Sequence, residues 1–193
     1  MTMHHFFALL SRMKYIDRWA LMRNTSRENI SQHSQEVAML AHALAVLGNC
    51  YLGKNYNVER AALLGLYHDA TEIITGDMPT PVKYHNPRLR DAYKSLEAET
   101  AEKLLDTLPP AMRPYYAPLF AEADPALAKL VKAADKLSAY IKCLEEEKSG
   151  NHEFLSAKAS IRTALAAAEV EEVDLFFTHF MDAYGKTLDE LEM

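Results

Sequence analysis

An imidazole and a carboxylate stand side by side at His68 and Asp69, inside the otherwise apolar run that leads from Leu63 through Tyr67 to Ile74. Unpaired charge in apolar surroundings is costly, and a divalent cation is one partner that satisfies both groups at once. The plainer reading gives His68 a hydrogen bond within the core and Asp69 a cap or a salt bridge, and a lone His-Asp pair fits it equally well. Two further residues shift the balance. His33 precedes the pair by one helix, and Asp135 follows on a later one, flanked by Ala133, Ala134 and Leu137. His33, His68, Asp69 and Asp135 make a nitrogen and oxygen donor set without thiolate, suited to an octahedral first-row ion with positions open to water and substrate. Cobalt, manganese, nickel, iron and magnesium all suit such a set.

Helices must carry these residues. Val37, Leu40, Ala41, Leu44 and Leu47 recur at helical spacing, with Ser31 as the expected N-cap and Gly48 as the expected stop, so His33 falls in a first turn. A second helix is expected from about Val58 to Ile74, with Leu63, Leu64, Leu66 and Tyr67 inside and His68, Asp69 and Glu72 along it; Gly76, Asp77, Pro79 and Pro81 halt it. Arg88 to Leu108 reads as a long amphipathic helix ended by Pro109 and Pro110, with a shorter one before Pro125. Asp135 lies on the next, Leu127 to Glu147, whose Leu130, Val131, Ala134, Leu137, Tyr140, Ile141 and Leu144 form a continuous buried stripe. Helices over about Glu153 to Val170 and Val173 to Leu191 complete an all-α reading, with no alternating strand and no fixed-period repeat.

The chain of 193 residues, 49% hydrophobic and 25% charged with six glycines, is expected to form one ordered domain over 1–193. Cys50 and Cys143 stand far apart in apolar surroundings, which excludes a disulfide framework and fits a reducing cytoplasm. No apolar run reaches the roughly 20 residues of a membrane span, and Phe6 to Leu10 lacks the flanks of a signal peptide. A formal charge of −6 gives no broad cationic face for a nucleic-acid polymer. An anionic substrate must therefore meet positive charge concentrated at one place.

The order His33, His68-Asp69, Asp135 on successive helices resembles the signature of the HD-domain phosphohydrolases. The segments Arg18 to Asn24, Glu28 to Ser34 and Tyr67 to Lys83, the last containing Thr75-Gly76-Asp77-Met78-Pro79-Thr80-Pro81, are similar to those of the bacterial 5′-deoxynucleotidases, as is Ala134-Asp135 with Ala139 to Glu145. The resemblance spans roughly residues 4 to 150. It implies a single-domain helical HD-domain bundle, one divalent metal per chain, a homodimer, and hydrolysis of deoxyribonucleoside 5′-monophosphates to deoxynucleoside and phosphate. A metal suits that chemistry, since it polarises a phosphoryl oxygen and activates water.

Roles for single residues follow from the resemblance together with the helical spacing. Glu72 follows Asp69 by three residues and His68 by four, so on a helix it shares their face and assists proton transfer without being a ligand; the alternative is a surface carboxylate paired with a Lys or Arg. By resemblance Arg18 engages the substrate phosphate and Trp19, the single tryptophan, lines the sugar pocket, where the bland reading has a surface charge and core packing. The carboxylate of Asp77 is set to accept from the sugar 3′-hydroxyl, although turn formation alone would also explain it. Pro79 and Thr80 are expected as walls, Lys83 as a weaker phosphate contact, and His33, Asp69 and Asp135 as facing substrate as well as metal. The remaining histidines fit no ligand pattern.

Two competing readings stand beside this one. Hydrolysis of a nucleoside triphosphate or cyclic nucleotide needs more phosphate contacts than the few Lys and Arg residues near these motifs provide. A non-catalytic nucleotide-binding helical module would have no use for Glu72 beside four ligands.

Overall fold

The computed structural model describes residues 3–83, 85–121 and 124–191. Helices build it: α1 (Phe6–Leu10), α2 (Ile30–Tyr51), α3 (Val58–Tyr67), α4 (Glu72–Thr75), α5 (Thr80–Lys83), α6 (Pro87–Leu105), α7 (Arg113–Phe120), α8 (Pro125–Lys148), α9 (Leu155–Ala167) and α10 (Glu171–Phe180), with 3-10 turns at Ser11–Tyr15, His152–Phe154, Met181–Gly185 and Asp189–Leu191. Among the described residues no strand forms, and the one β-type pairing is an isolated bridge between Asp17 and Asn29. The all-α expectation holds.

The chain forms two compact units. The first comprises Met1–Arg23, Arg27–Ser34 and Tyr67–Ala123. Its core gathers Phe6, Leu104, Leu105 and Leu108, with Tyr67, Ile73, Tyr116 and Phe120 packed against them, and a smaller cluster joins Met13, Ile30 and Ala70. Phe6 is thus a core anchor carried by a short helix, α1, that its periodicity alone does not predict. Asn86 caps α6, its side chain accepting the Leu89 N–H ahead of Pro87.

The second unit comprises Asn24–Ser26, Gln35–Leu66 and Asp124–Met193. Its longest helix, α8, starts on Asp124, which accepts from the N–H groups of Ala126 and Leu127, with Pro125 at the first helical position. Leu130, Val131, Ala134, Leu137 and Ile141 are buried as their spacing predicts, Tyr140 and Leu144 only half so, and α8 packs on α9. A Cβ on Gly65 would lie 2.8 Å from the Ala38 Cα, so α3 crosses α2 at a contact that only glycine permits.

Several expected boundaries move. The start of α2 is capped by Asn29 rather than Ser31: Asn29 Oδ1 accepts the Gln32 N–H and Gln32 Oε1 accepts the Asn29 N–H, both at 3.0 Å. Gly48 does not stop that helix, which runs on to Tyr51; a Cβ at Gly48 would meet the Tyr56 ring at 2.6 Å, so its smallness serves packing. The helix expected to continue to Leu191 breaks after Phe180 into 3-10 turns. Leu63 and Leu66, expected inside, are exposed on α3 while Leu64 is buried.

Candidate metal centre

Two backbone hydrogen bonds bring the N-terminal segment to the start of α2. Arg18 N–H donates to Glu28 O at 2.9 Å and Ile30 N–H to Ile16 O at 3.0 Å, closing the chain between them into a loop. Arg18, Trp19 and Glu28 therefore lie beside the first turn of α2. His33 is in that turn, its N–H donating to Asn29 O at 3.1 Å, and its side chain is fully buried.

The second cluster comes from a break that the sequence reading did not foresee. The helix expected from Val58 to Ile74 ends at Tyr67, and residues 68–71 form turns before α4 resumes at Glu72. Ala70 N–H bonds back to Tyr67 O at 3.1 Å and Glu72 N–H to Asp69 O at 2.9 Å, each three residues back. These tighter bonds wind the chain faster than an α-helix does. His68 and Asp69 thus project from a turn, and Glu72 opens the helix after it rather than sharing one helical face with them.

One oxygen collects this polar set. Asp69 Oδ2 lies 3.1 Å from His68 Nε2, 3.5 Å from His33 Nε2 and 3.4 Å from Arg18 Nη1. The two imidazole rings stand 5.2 Å apart, centre to centre. Burial alone would raise the Asp69 carboxyl, but the charge and hydrogen bond of His68, then His33 and Arg18, hold it well below the usual carboxylate range. Asp135 is half-buried on α8 with Ala133, Ala134 and Leu137 buried around it, as expected. His33, His68 and Asp135 each offer one atom of a kind that ligates a divalent ion. Converging imidazole nitrogens and carboxylate oxygens fit a divalent ion of the kind their donor chemistry implies.

Glu72 is the contrast within the cluster. It is buried, and its Oε2 has no hydrogen-bond partner among the described residues. Burial, then the charges of Asp69 and Asp77, push its carboxyl up to about 9 against the opposing pull of Arg18 and Lys83. A group held protonated at neutral pH is a proton donor. Among the described residues Glu72 makes no ion pair with a Lys or Arg at the surface.

Gly76 ends α4 with φ +72°, a conformation that suits glycine, and its N–H closes on Glu72 O at 2.8 Å. Asp77 follows, accepting the backbone N–H of Trp19 at 3.3 Å. Burial pushes its carboxyl up, with Arg18 opposing. Pro79 is half-buried and Thr80 exposed at the start of α5. Lys83 is already engaged: its Nζ lies 2.9 Å from Glu97 Oε1 and 4.4 Å from the Tyr93 ring centre. Among the other histidines, His42 is exposed.

Glu28 is the residue that sequence reasoning passed over. Its carboxylate accepts the indole N–H of Trp19 at 2.8 Å, and lies 3.5 Å from both Arg18 Nε and His33 Nδ1. Burial would raise its carboxyl, yet His33, Arg18 and Trp19 together lower it. The available signal is its place five residues before His33, at the head of the Glu28 to Ser34 segment that resembles the 5′-deoxynucleotidases.

Comparison with known proteins places this geometry. The model of the YfbR-like 5′-deoxynucleotidase family matches residues 5–184. A 5′-deoxynucleotidase of Erwinia tasmaniensis is 49% identical over 189 residues, 97% of this chain and 96% of that one. The 5′-deoxynucleotidase YfbR of Shigella dysenteriae is 49% identical over 193 residues, 99% of this chain and 97% of its own. Among solved structures, an HD-domain phosphohydrolase of Listeria innocua superposes with a TM-score of 0.81 at 22% identity, covering 93% of this chain and 88% of the other. The cyanophage S-2L HD phosphohydrolase DatZ, bound to dA and one catalytic Zn2+, superposes at 0.69 with 24% identity, covering 93% and 96%.

Proposed function

The chain belongs to the YfbR-like 5′-deoxynucleotidase family, and on that footing we propose that it is a metal-dependent hydrolase that converts deoxyribonucleoside 5′-monophosphates to deoxynucleoside and phosphate. The observation that carries the reading is the convergence of two imidazole Nε2 atoms on one oxygen of Asp69. His33, His68, Asp69 and Asp135 would hold one divalent cation, drawn from cobalt, manganese, nickel, iron or magnesium, with zinc added by the likeness to DatZ. When bound, such an ion supplies Lewis acidity to a phosphoryl oxygen and lowers the pKa of water.

The chain's own residues do the rest. Arg18 presents a fixed guanidinium to the phosphate, and its planar fork suits two oxygens. Glu72 holds a proton at neutral pH and is assigned its transfer: as water adds to phosphorus and the bond to the 5′-oxygen breaks, the departing alkoxide gains a proton and the attacking water loses one. Trp19 and Asp77 are tied to each other through the Trp19 N–H, which supports their sharing one pocket wall: the indole excludes a 2′-hydroxyl and the carboxylate accepts from the 3′-hydroxyl. Pro79 and Thr80 continue the turn that carries Asp77. Lys83 is given no phosphate contact, because Glu97 and Tyr93 hold its ammonium.

We also propose a homodimer in the cytoplasm. Met39 on α2 and Leu63 and Leu66 on α3 are exposed apolar side chains near the Gly65–Ala38 crossing, which supports a paired face. No helix among the described residues is long and apolar enough to cross a membrane, and Cys50 and Cys143 are not joined by a disulfide.

Phosphate release from deoxyuridine monophosphate and from its triphosphate tests the reading. The monophosphate is expected to turn over and the triphosphate to be spared. Release from the triphosphate alone would assign the chain to another reaction of the HD fold.

A further inference from the structure

The first unit contains a ring of charge. Glu28 lies against Arg18 Nε and His33 Nδ1, both at 3.5 Å, while Asp69 lies against Arg18 Nη1 at 3.4 Å and His33 Nε2 at 3.5 Å. One guanidinium and one imidazole are thus each gripped on two sides by the same two carboxylates. Asp69 is assigned to the metal, whereas Glu28 has neither a ligand nor a proton-transfer role.

The two oxygens of Glu28 divide their partners. Oε1 faces His33, and Oε2 takes the Trp19 indole N–H at 2.8 Å together with Arg18. A histidine whose Nδ1 faces a carboxylate keeps its proton there, and Nε2 is left as the lone-pair donor. Trp19 needs an outside hold for a second reason. Its backbone has φ +60°, in the left-handed region that a bulky side chain rarely occupies, and such a conformation persists only where the surroundings fix it. Asp77 grips its backbone N–H and Glu28 its indole N–H. A glutamine at 28 would offer one acceptor oxygen where the carboxylate offers two, so it could not serve both sides.

We propose that Glu28 is the positioning residue of the site: one carboxylate that fixes the metal ligand His33 through Nδ1 and the substrate-binding pair Trp19 and Arg18 through its other oxygen. Metal affinity and pocket shape are thereby coupled through a residue that touches neither metal nor substrate. The inference rests on the metal-dependent reading of the site given above, and deepens it.

The single tryptophan makes the coupling measurable without turnover. Emission and acrylamide quenching of Trp19 are read in the full chain for the parent, Glu28→Gln and Glu28→Ala, beside the affinity of each for manganese. Thermal melts confirm that each is folded. Glu28→Ala is expected to shift Trp19 emission, raise its quenching, and weaken manganese binding about ten- to a hundred-fold, as loss of an outer partner of a ligating histidine does. Glu28→Gln, close in shape, is expected to melt near the parent and still lose at least one of the two properties. Its kcat/KM for deoxyadenosine monophosphate should fall in step. Folded variants that keep both the parent's emission and its manganese affinity would overturn the role of Glu28, as would an Ala variant in which only emission moves. A parent that neither binds manganese nor releases phosphate would instead overturn the reading of the site itself, and the two failures are told apart by the parent alone.

Discussion

Two buried glutamates, one in each unit, have opposite surroundings. Glu146 on α8 is surrounded by donors: the backbone N–H groups of Thr25 and Ser26, the Thr25 hydroxyl, the Asn151 amide and the Lys142 ammonium. Burial would raise its carboxyl, but Lys142, Thr25 and Asn151 hold it well below the usual range. Glu72 has an oxygen with no such partner among the described residues, and its carboxyl is pushed up. A buried charge that serves the fold is supplied with partners, whereas a buried carboxyl left short of them is poised for chemistry. The difference is between holding a loop and holding a proton.

The comparison breaks most visibly in turnover. Glu72→Gln is expected to keep its metal and lose activity roughly a hundred- to ten-thousand-fold, the range of positioned proton transfer. Steady-state rates on deoxyadenosine monophosphate beside elemental analysis check this; an undiminished rate would make Glu72 a helix residue only.

Glu146→Ala should act on stability instead. It leaves the Lys142 ammonium buried against the Ser26 carbonyl without its carboxylate, and removing one member of a buried pair costs about 3 to 5 kcal/mol. Denaturant melts measure that loss. Because the folded Glu146 carboxyl titrates below its ordinary value of 4.5, its contribution is complete above pH 4.5 and is lost as pH falls further, so the parent and the variant should converge in acid.

Glu72 gives the opposite pH slope. In metal-free protein its carboxyl is raised from 4.5 to about 9, so the fold binds that proton more tightly than the unfolded chain does. Its contribution is complete below pH 4.5 and is lost progressively as pH rises toward 9. Chelated Glu72→Gln should therefore melt close to the parent at pH 4.5 and above it at pH 9. Parallel curves would remove the contrast between the two glutamates.

A smaller effect sharpens the pocket. Trp19→Ala is expected to narrow the kcat/KM ratio of deoxyadenosine to adenosine monophosphate by roughly ten-fold, the scale on which a pocket discriminates one small group. Arg18→Ala should weaken both substrates alike, since the phosphate is common to them. An unchanged ratio in Trp19→Ala would defeat the steric account.

What the sequence made legible was chemistry set on helical periodicity. The stripe of α8, the place of His33 in a first turn and the His68-Asp69 pair all followed from residue type and spacing. The break after Tyr67 did not, because the residues from His68 to Ile74 carry no glycine or proline and the turn there is set by tertiary contacts. Leu63 and Leu66 look internal to a periodicity argument, which does not know which apolar face is left uncovered. Glu146 and Thr25 meet across 121 positions, and no local pattern announces such a pairing. Glu28 was visible as part of a motif, but its role depends on three partners that only the folded loop assembles.

The most direct measurement is phosphate release from deoxyadenosine monophosphate by the parent protein, before chelation, after it, and after one equivalent of manganese or cobalt is restored. Release, its loss, and its return with about one ion per chain are expected. Release that survives complete removal of metal would contradict it.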